Sequence, residues 1–177
     1  MSVEASAPLA ADPSDTVARY RDAVERLDLD AVVATLAPDV ELHSPISARA
    51  CLQGPAMIRD VLEPVYASIE DIRVVDEVAT SDGQRRVLYL RGHISGGEPI
   101  EESVWMRIDE HGLIAELTVF IRPLGALTAL MAAIGPSLAA RHGRVRGWIA
   151  VAATRPLAVI TRRGDPLALR LTRTPRR

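Results

Sequence analysis

Four runs, IRVVDEVA (72–79), RVLYLRGHIS (86–95), IEESVWMRI (100–108) and LIAELTVFIR (113–122), decide the fold. Each is rich in branched aliphatic side chains and alternates in polarity, the pattern of a strand with one buried face. They are separated by Ser81-Asp82-Gly83, by Gly96-Gly97 and by Asp109-Glu110-His111-Gly112. Short glycine-bearing turns of this kind close hairpins, so the spacing predicts a largely antiparallel meander.

Before the strands, the period changes from two to between three and four. Val17, Tyr20, Val24 and Leu27 mark one stripe of a helix over 15–27, with Ser14 or Asp15 as its N-cap. A second, short helix over 30–37 buries Val32, Val33 and Leu36 and stops at Pro38. Val40 to Ser44 reads as a short strand ending before Pro45. Gly54-Pro55 opens a third helix, proline being tolerated in the first turn, with Met57, Ile58, Val61, Leu62, Val65 and Ile69 as its apolar face and Pro64 as a kink. After Pro123 an amphipathic helix carries Leu124, Leu127, Leu130, Met131, Ile134 and Leu138 and breaks near Gly135-Pro136. Helices first and strands afterwards give an α+β domain rather than a βαβ repeat.

Aromatic residues make up only 3% of the 177 residues, so aliphatic side chains fill the core and an inward tyrosine such as Tyr20 is conspicuous. Cys51 is the single cysteine, which excludes an intrachain disulfide, argues against any cysteine-based zinc site and fits a reducing, cytoplasmic location. The first 14 residues read as a flexible N-terminus, without the basic and apolar regions of a secretory signal. No apolar run reaches the roughly 18 residues of a membrane span. Charge is unevenly placed. From Arg141 onward ten arginines stand against Asp165 alone, giving +9 and, by subtraction from the net −2, leaving −11 on the first 140 residues. That basic extension suits an acidic surface, of this chain's own body or of a partner; nucleic acid or anionic lipid are the other readings, and neither has a strong signal elsewhere in the sequence.

Several segments together resemble the nuclear-transport-factor-2-like superfamily, and within it the SnoaL-like and Δ5-3-ketosteroid isomerase-like branch. They are Ala18-Arg19-Tyr20, Leu29 to Val33, Ala37-Pro38-Asp39-Val40-Glu41-Leu42-His43-Ser44-Pro45, Gln53-Gly54-Pro55 and Met106 to Gly112, within a domain over 15–122. The resemblance implies a cone-shaped, cystatin-like fold in which a curved antiparallel sheet wraps three N-terminal helices around an apolar pocket. Residues 123–177 would then be a helical, arginine-rich extension. It also implies a homodimer through the convex sheet face and cofactor-independent isomerase or cyclase chemistry on a small hydrophobic molecule, steroid-, polyketide- or terpenoid-like. Tyr20 matches the family's oxyanion tyrosine, whereas Ser44 stands where the general-base aspartate belongs and Val104 where the second oxyanion donor does. Ketosteroid isomerisation by the familiar route is therefore not expected, and a non-catalytic ligand-binding or scaffold role is the alternative.

With Val104 facing inward, alternation brings Glu102, Met106 and Ile108 to the same face, and Leu117, Val119 and Ile121 beside them. Val104, Met106, Leu117, Val119 and Ile121 are the expected ligand contacts. Glu102 is the exception in an aliphatic wall: desolvated, it would titrate near neutrality, and at a frayed hairpin end it would be an ordinary surface carboxylate. His43 is the other candidate base, although alternation turns it away from the side Ser44 faces unless the register slips. Tyr20 is open to two readings, a ligand contact or a core tyrosine bonded to a backbone carbonyl. His93 and Trp105 fall on the outer face, with an interface role expected. The sequence holds no phosphate-binding loop, no nucleophile elbow and no metal-ligand spacing, so neither cofactor nor metal is expected.

Overall fold

The computed structural model describes residues 13–140, 156 and 159–161. The N-terminal dozen residues and most of the arginine-rich extension, including His142, lie outside the described residues.

Helix α1 (Pro13–Glu25) packs Val17, Tyr20 and Val24 inward. Leu27 closes it at a positive φ of 54°, and the Asp28 N–H reaches back to the Ala23 carbonyl at 2.8 Å. Asp28 then caps α2 (Leu29–Val33), its side chain accepting from the Ala31 N–H at 3.0 Å. This helix ends earlier than its apolar pattern predicts. Leu36 already belongs to β1 (Leu36–His43), paired with Ile114, and the register shifts between Leu36 and Glu41, where Pro38 supplies no N–H for a ladder. Pro38 thus marks an irregularity inside a strand instead of a helix stop.

β2 (Cys51–Gln53) follows, a three-residue strand too short to show alternation and absent from the sequence expectation. Helix α3 (Pro55–Tyr66) runs through Pro64 and ends two residues later. It buries Ile58 fully but leaves Met57 half exposed, and Ile69 belongs to the next strand. The meander β3 (Ile69–Ala79), β4 (Arg85–Ile94), β5 (Glu98–Ile108) and β6 (Ile114–Arg122) is antiparallel throughout. β1 joins its far edge in parallel to β6, giving the order β2-β1-β6-β5-β4-β3.

The chain is therefore α+β, with a six-stranded, mostly antiparallel sheet. One face is packed by the helices, with Leu88, Leu90, Ile100, Val104, Ile108 and Leu117 at most 2% exposed. Helix α1 is tied to the sheet edge where Glu25 accepts the Val74 N–H at 2.8 Å, beside a β-bulge. Helix α4 (Leu124–Ala140) is continuous through Gly135-Pro136, and its buried line is Ala126, Leu130 and Ile134 at intervals of four, whereas Leu124 faces solvent. Thr161 of the extension meets it, the Thr128 and Thr161 hydroxyl oxygens lying 2.6 Å apart. Among the described residues no helix is long and apolar enough to cross a membrane.

Candidate functional site

A narrow cavity of about 80 Å³ lies between the inner face of the sheet and the helices. Ile100, Val119 and Ile121 form its floor, Leu62 and Val65 of α3 one wall, and Leu130 and Ile134 of α4 the cover; Ser44, Pro45 and Ile46 sit at its rim. Glu102 is the one ionisable side chain in this lining. Larger hollows of about 220, 280 and 630 Å³ open on solvent beside Trp105, His93 and His111, and charged side chains line them. Of these, the narrow cavity is the one that places a carboxyl in aliphatic surroundings.

Glu102 keeps some surface because it faces the cavity, yet protein atoms crowd its carboxyl. Burial pushes its pKa up to about 7. No hydrogen bond or ion pair from any described residue offsets that burial. The hairpin here is not frayed: β5 pairs through Glu102 on both sides, with Leu90 and with Ile121.

Two tyrosines, Tyr20 and Tyr66, lie near enough to feel its charge, although neither belongs to the cavity lining. Burial holds the Tyr20 hydroxyl well above the usual phenol range, reinforced by Tyr66 and then by Glu102. Tyr66 is raised as well, by burial first and then by the charges of Glu102 and Asp28. Both phenols are therefore neutral donors at any physiological pH. The Tyr20 hydroxyl makes no hydrogen bond to a backbone carbonyl among the described residues. The sequence reading overlooked Tyr66, although Ile58, Leu62 and Tyr66 lie four apart on one face of α3 and tyrosine is scarce in this chain.

Of the expected ligand contacts, Val119 and Ile121 line the cavity, while Val104, Met106 and Leu117 share the same inner face but lie in the solid core beyond it. Ser44 reaches the rim, where its Oγ accepts the Ile46 N–H at 3.2 Å. His43 stands on the other side of β1, its Nε2 3.7 Å from Glu116 and 4.0 Å from Glu41. The register slip that would turn it inward does not occur between Glu41 and His43. There the structure gathers donor atoms of Glu41, His43 and Cys51 within 4.8 Å of one another, a grouping that linear spacing concealed because Cys51 arrives from a separate strand.

The outer face is different in kind. Trp105 and Phe120 meet edge to face, ring centres 6.1 Å apart, and are 56% and 53% exposed. Around them lie ion pairs: Arg107 with Glu116 at 3.3 Å, Glu101 with Arg122 at 3.1 Å and Arg91 at 3.5 Å, and His93 with Asp71 at 2.8 Å.

No curated protein matches the chain. Among solved structures, it is similar to a steroid delta-isomerase from Pseudomonas aeruginosa, with 28% identity and a TM-score of 0.66 over 77% of this chain and 98% of that one. A protein with a cystatin-like fold from Silicibacter pomeroyi shares 23% identity, with a TM-score of 0.63 over 70% of this chain and 84% of that one. A Mycobacterium tuberculosis protein crystallised with estradiol-17β-hemisuccinate shares 17% identity, with a TM-score of 0.53 over 66% of this chain and 98% of that one. The fold is thus cystatin-like. The SnoaL-like domain model matches residues 17–117, more than half of the sequence, and the chain belongs to the SnoaL-like family.

Proposed function

We propose that this protein binds a small apolar carbonyl compound, steroid-, polyketide- or terpenoid-like, and moves a proton on it as a cofactor-independent isomerase or cyclase. The observation that carries this reading is Glu102, a carboxyl whose proton affinity falls near neutrality, set in an aliphatic cavity beside two neutral tyrosines. A base of that strength is half ionised at the pH where it must both take and return a proton. As Glu102 removes a proton next to the carbonyl, the C–H electron pair passes into an enolate, and the developing oxyanion accepts hydrogen bonds from Tyr20 and Tyr66. The protonated Glu102 then delivers its proton to a different carbon. Ser44 contributes a rim hydroxyl that orients the ligand, and His43 has no part in the step.

The cavity of about 80 Å³ is far below the roughly 300 Å³ or more that a drug-sized ligand needs. A ligand of the proposed class enters by displacing Leu130 and Ile134 of α4. Similarity to the P. aeruginosa steroid delta-isomerase supports the substrate class, whereas serine at position 44 and valine at 104 favour a second reading, ligand binding without turnover.

The test is a panel of 3-ketosteroid, polyketide-like and epoxide substrates, with equilibrium binding measured in parallel. Glu102→Gln is expected to lower turnover by about 10²–10⁴-fold with binding retained, and Tyr20→Phe to lower it as well. Saturable binding without turnover on any member establishes the second reading; turnover indifferent to both substitutions overturns the proton-transfer role. We also place a homodimer contact on the outer face at Trp105 and Phe120. Sedimentation velocity is expected to show a dimer that Trp105→Glu dissociates.

A further inference from the structure

We propose that Glu41, His43 and Cys51 form a zinc-binding site on the outer face of the β1–β2 edge, separate from the cavity. The pairing of the strands assembles it. His43 and Cys51 are directly opposed in the antiparallel register, and Glu41 lies two residues before His43 on the same side of β1. Parallel pairing with β6 sets Glu116 level with Glu41. One thiol, one imidazole and one carboxylate thus converge from two strands, with a second carboxylate behind them.

The donor atoms of Glu41, His43 and Cys51 lie within 4.8 Å of one another. In a tetrahedral zinc site, bonds of about 2.0–2.3 Å put neighbouring donors roughly 3.3–3.7 Å apart. A closure of about an ångström would bring the three into bonding positions. His43 Nε2 lies 3.7 and 4.0 Å from the glutamate oxygens, beyond the N–H···O hydrogen-bond range of roughly 2.7–3.2 Å, so the cluster is not already satisfied by hydrogen bonds.

Each glutamate is held by its far oxygen. Gln53 Nε2 donates to Glu41 Oε1 at 3.2 Å, leaving Oε2 toward His43. Arg107 Nε donates to Glu116 Oε2 at 3.3 Å, leaving Oε1 toward the same imidazole nitrogen. These are the outer partners that orient metal ligands. Glu116 adds negative charge at the place a cation would sit. Sulfur and imidazole donors favour zinc over magnesium or calcium, which take oxygen ligands. Three protein ligands leave the fourth position to water.

The test uses the full chain, stripped with chelator, titrated with zinc chloride by calorimetry and assayed for bound metal after dialysis. One zinc per chain is expected, unaffected by excess Mg²⁺, and zinc should raise Tm. Cys51→Ser and His43→Ala should each weaken binding at least ~10-fold and remove the rise in Tm, and Glu41→Gln should do so more mildly. Both Cys51 and His43 are at the surface, so circular dichroism should show each variant folded. Co²⁺ in place of zinc should give a thiolate charge-transfer band that Cys51→Ser abolishes. Binding that is unchanged in Cys51→Ser and His43→Ala would identify an adventitious ion only and overturn the proposal, as would the absence of saturable binding in the unsubstituted chain.

Discussion

Glu101 and Glu102 are consecutive on β5 and point to opposite faces of the sheet. Glu101 meets two guanidinium groups, Arg91 and Arg122, at 3.5 and 3.1 Å. Glu102 lies among the aliphatic side chains of the cavity, near enough for its charge to act on two phenols, and its pKa rises to about 7. The residue type is the same, and the period of two in a strand decides which one meets guanidinium groups and which is desolvated among aliphatic side chains. The rest of the sheet follows that division. Its inner side is a mostly aliphatic core with Glu102 set into it, and its outer side is a mixture of ion pairs, exposed aromatics and a converging donor cluster.

The contrast is most easily broken through the core. Leu88→Ala, on the fully buried face of β4, should cost about 2–5 kcal/mol in urea denaturation; a loss under about 1 kcal/mol would mean the inner face is not close-packed. Gly92→Ala on the same strand should be comparably damaging, because a Cβ there would overlap the Asp71 carbonyl of β3, whichever face it served. Recovery of full Tm in this variant would show that the two strands separate freely at the bulge.

Next in size is a pH effect confined to Glu102. Its folded pKa of about 7 lies above its ordinary value of 4.5, so the native state holds the proton more tightly than the unfolded chain. The stability this confers is complete below pH 4.5 and is lost as pH rises toward 7, a decline on the order of 2–3 kcal/mol. Comparing unfolding free energies at pH 5 and pH 8 should show Glu102→Gln removing that decline. An equal slope in both proteins would assign it elsewhere. The smallest effect belongs to the outer glutamate: Arg91→Ala should leave stability nearly unchanged in the same denaturation experiment, since exposed ion pairs contribute little. A larger loss would make the outer face a structural network in its own right.

How far the sequence could be read follows from the same physics. Strand alternation is strong enough over 102–108 to sort those residues of β5 to their faces, because the neighbouring strands pair with them on both sides. β2 escaped, since three residues show no period, and its absence hid the meeting of Cys51 with His43. The start of β1 reads as the end of α2 because Leu36 continues a helical spacing that tertiary pairing with Ile114 overrides. Tyr66 does not stand out in the sequence because the apolar stripe of α3 reads through its neighbour Val65 to Ile69, whereas the helix ends at Tyr66 and Ile69 begins β3. The cavity's cover was visible as apolar residues in α4, but only packing shows that Leu130 and Ile134 are the ones turned inward.

The central claim is that Glu102 exchanges its proton near neutrality within the folded protein. The most direct measurement is a titration of the side-chain carboxyl ¹³C resonances in glutamate-labelled protein, with Glu102→Gln to assign the signal. One resonance with a midpoint near pH 7, absent from the variant, is the predicted result. If the Glu102 resonance instead titrates with the ordinary glutamates near 4.5, the carboxyl is solvated and the proposed proton transfer loses its base.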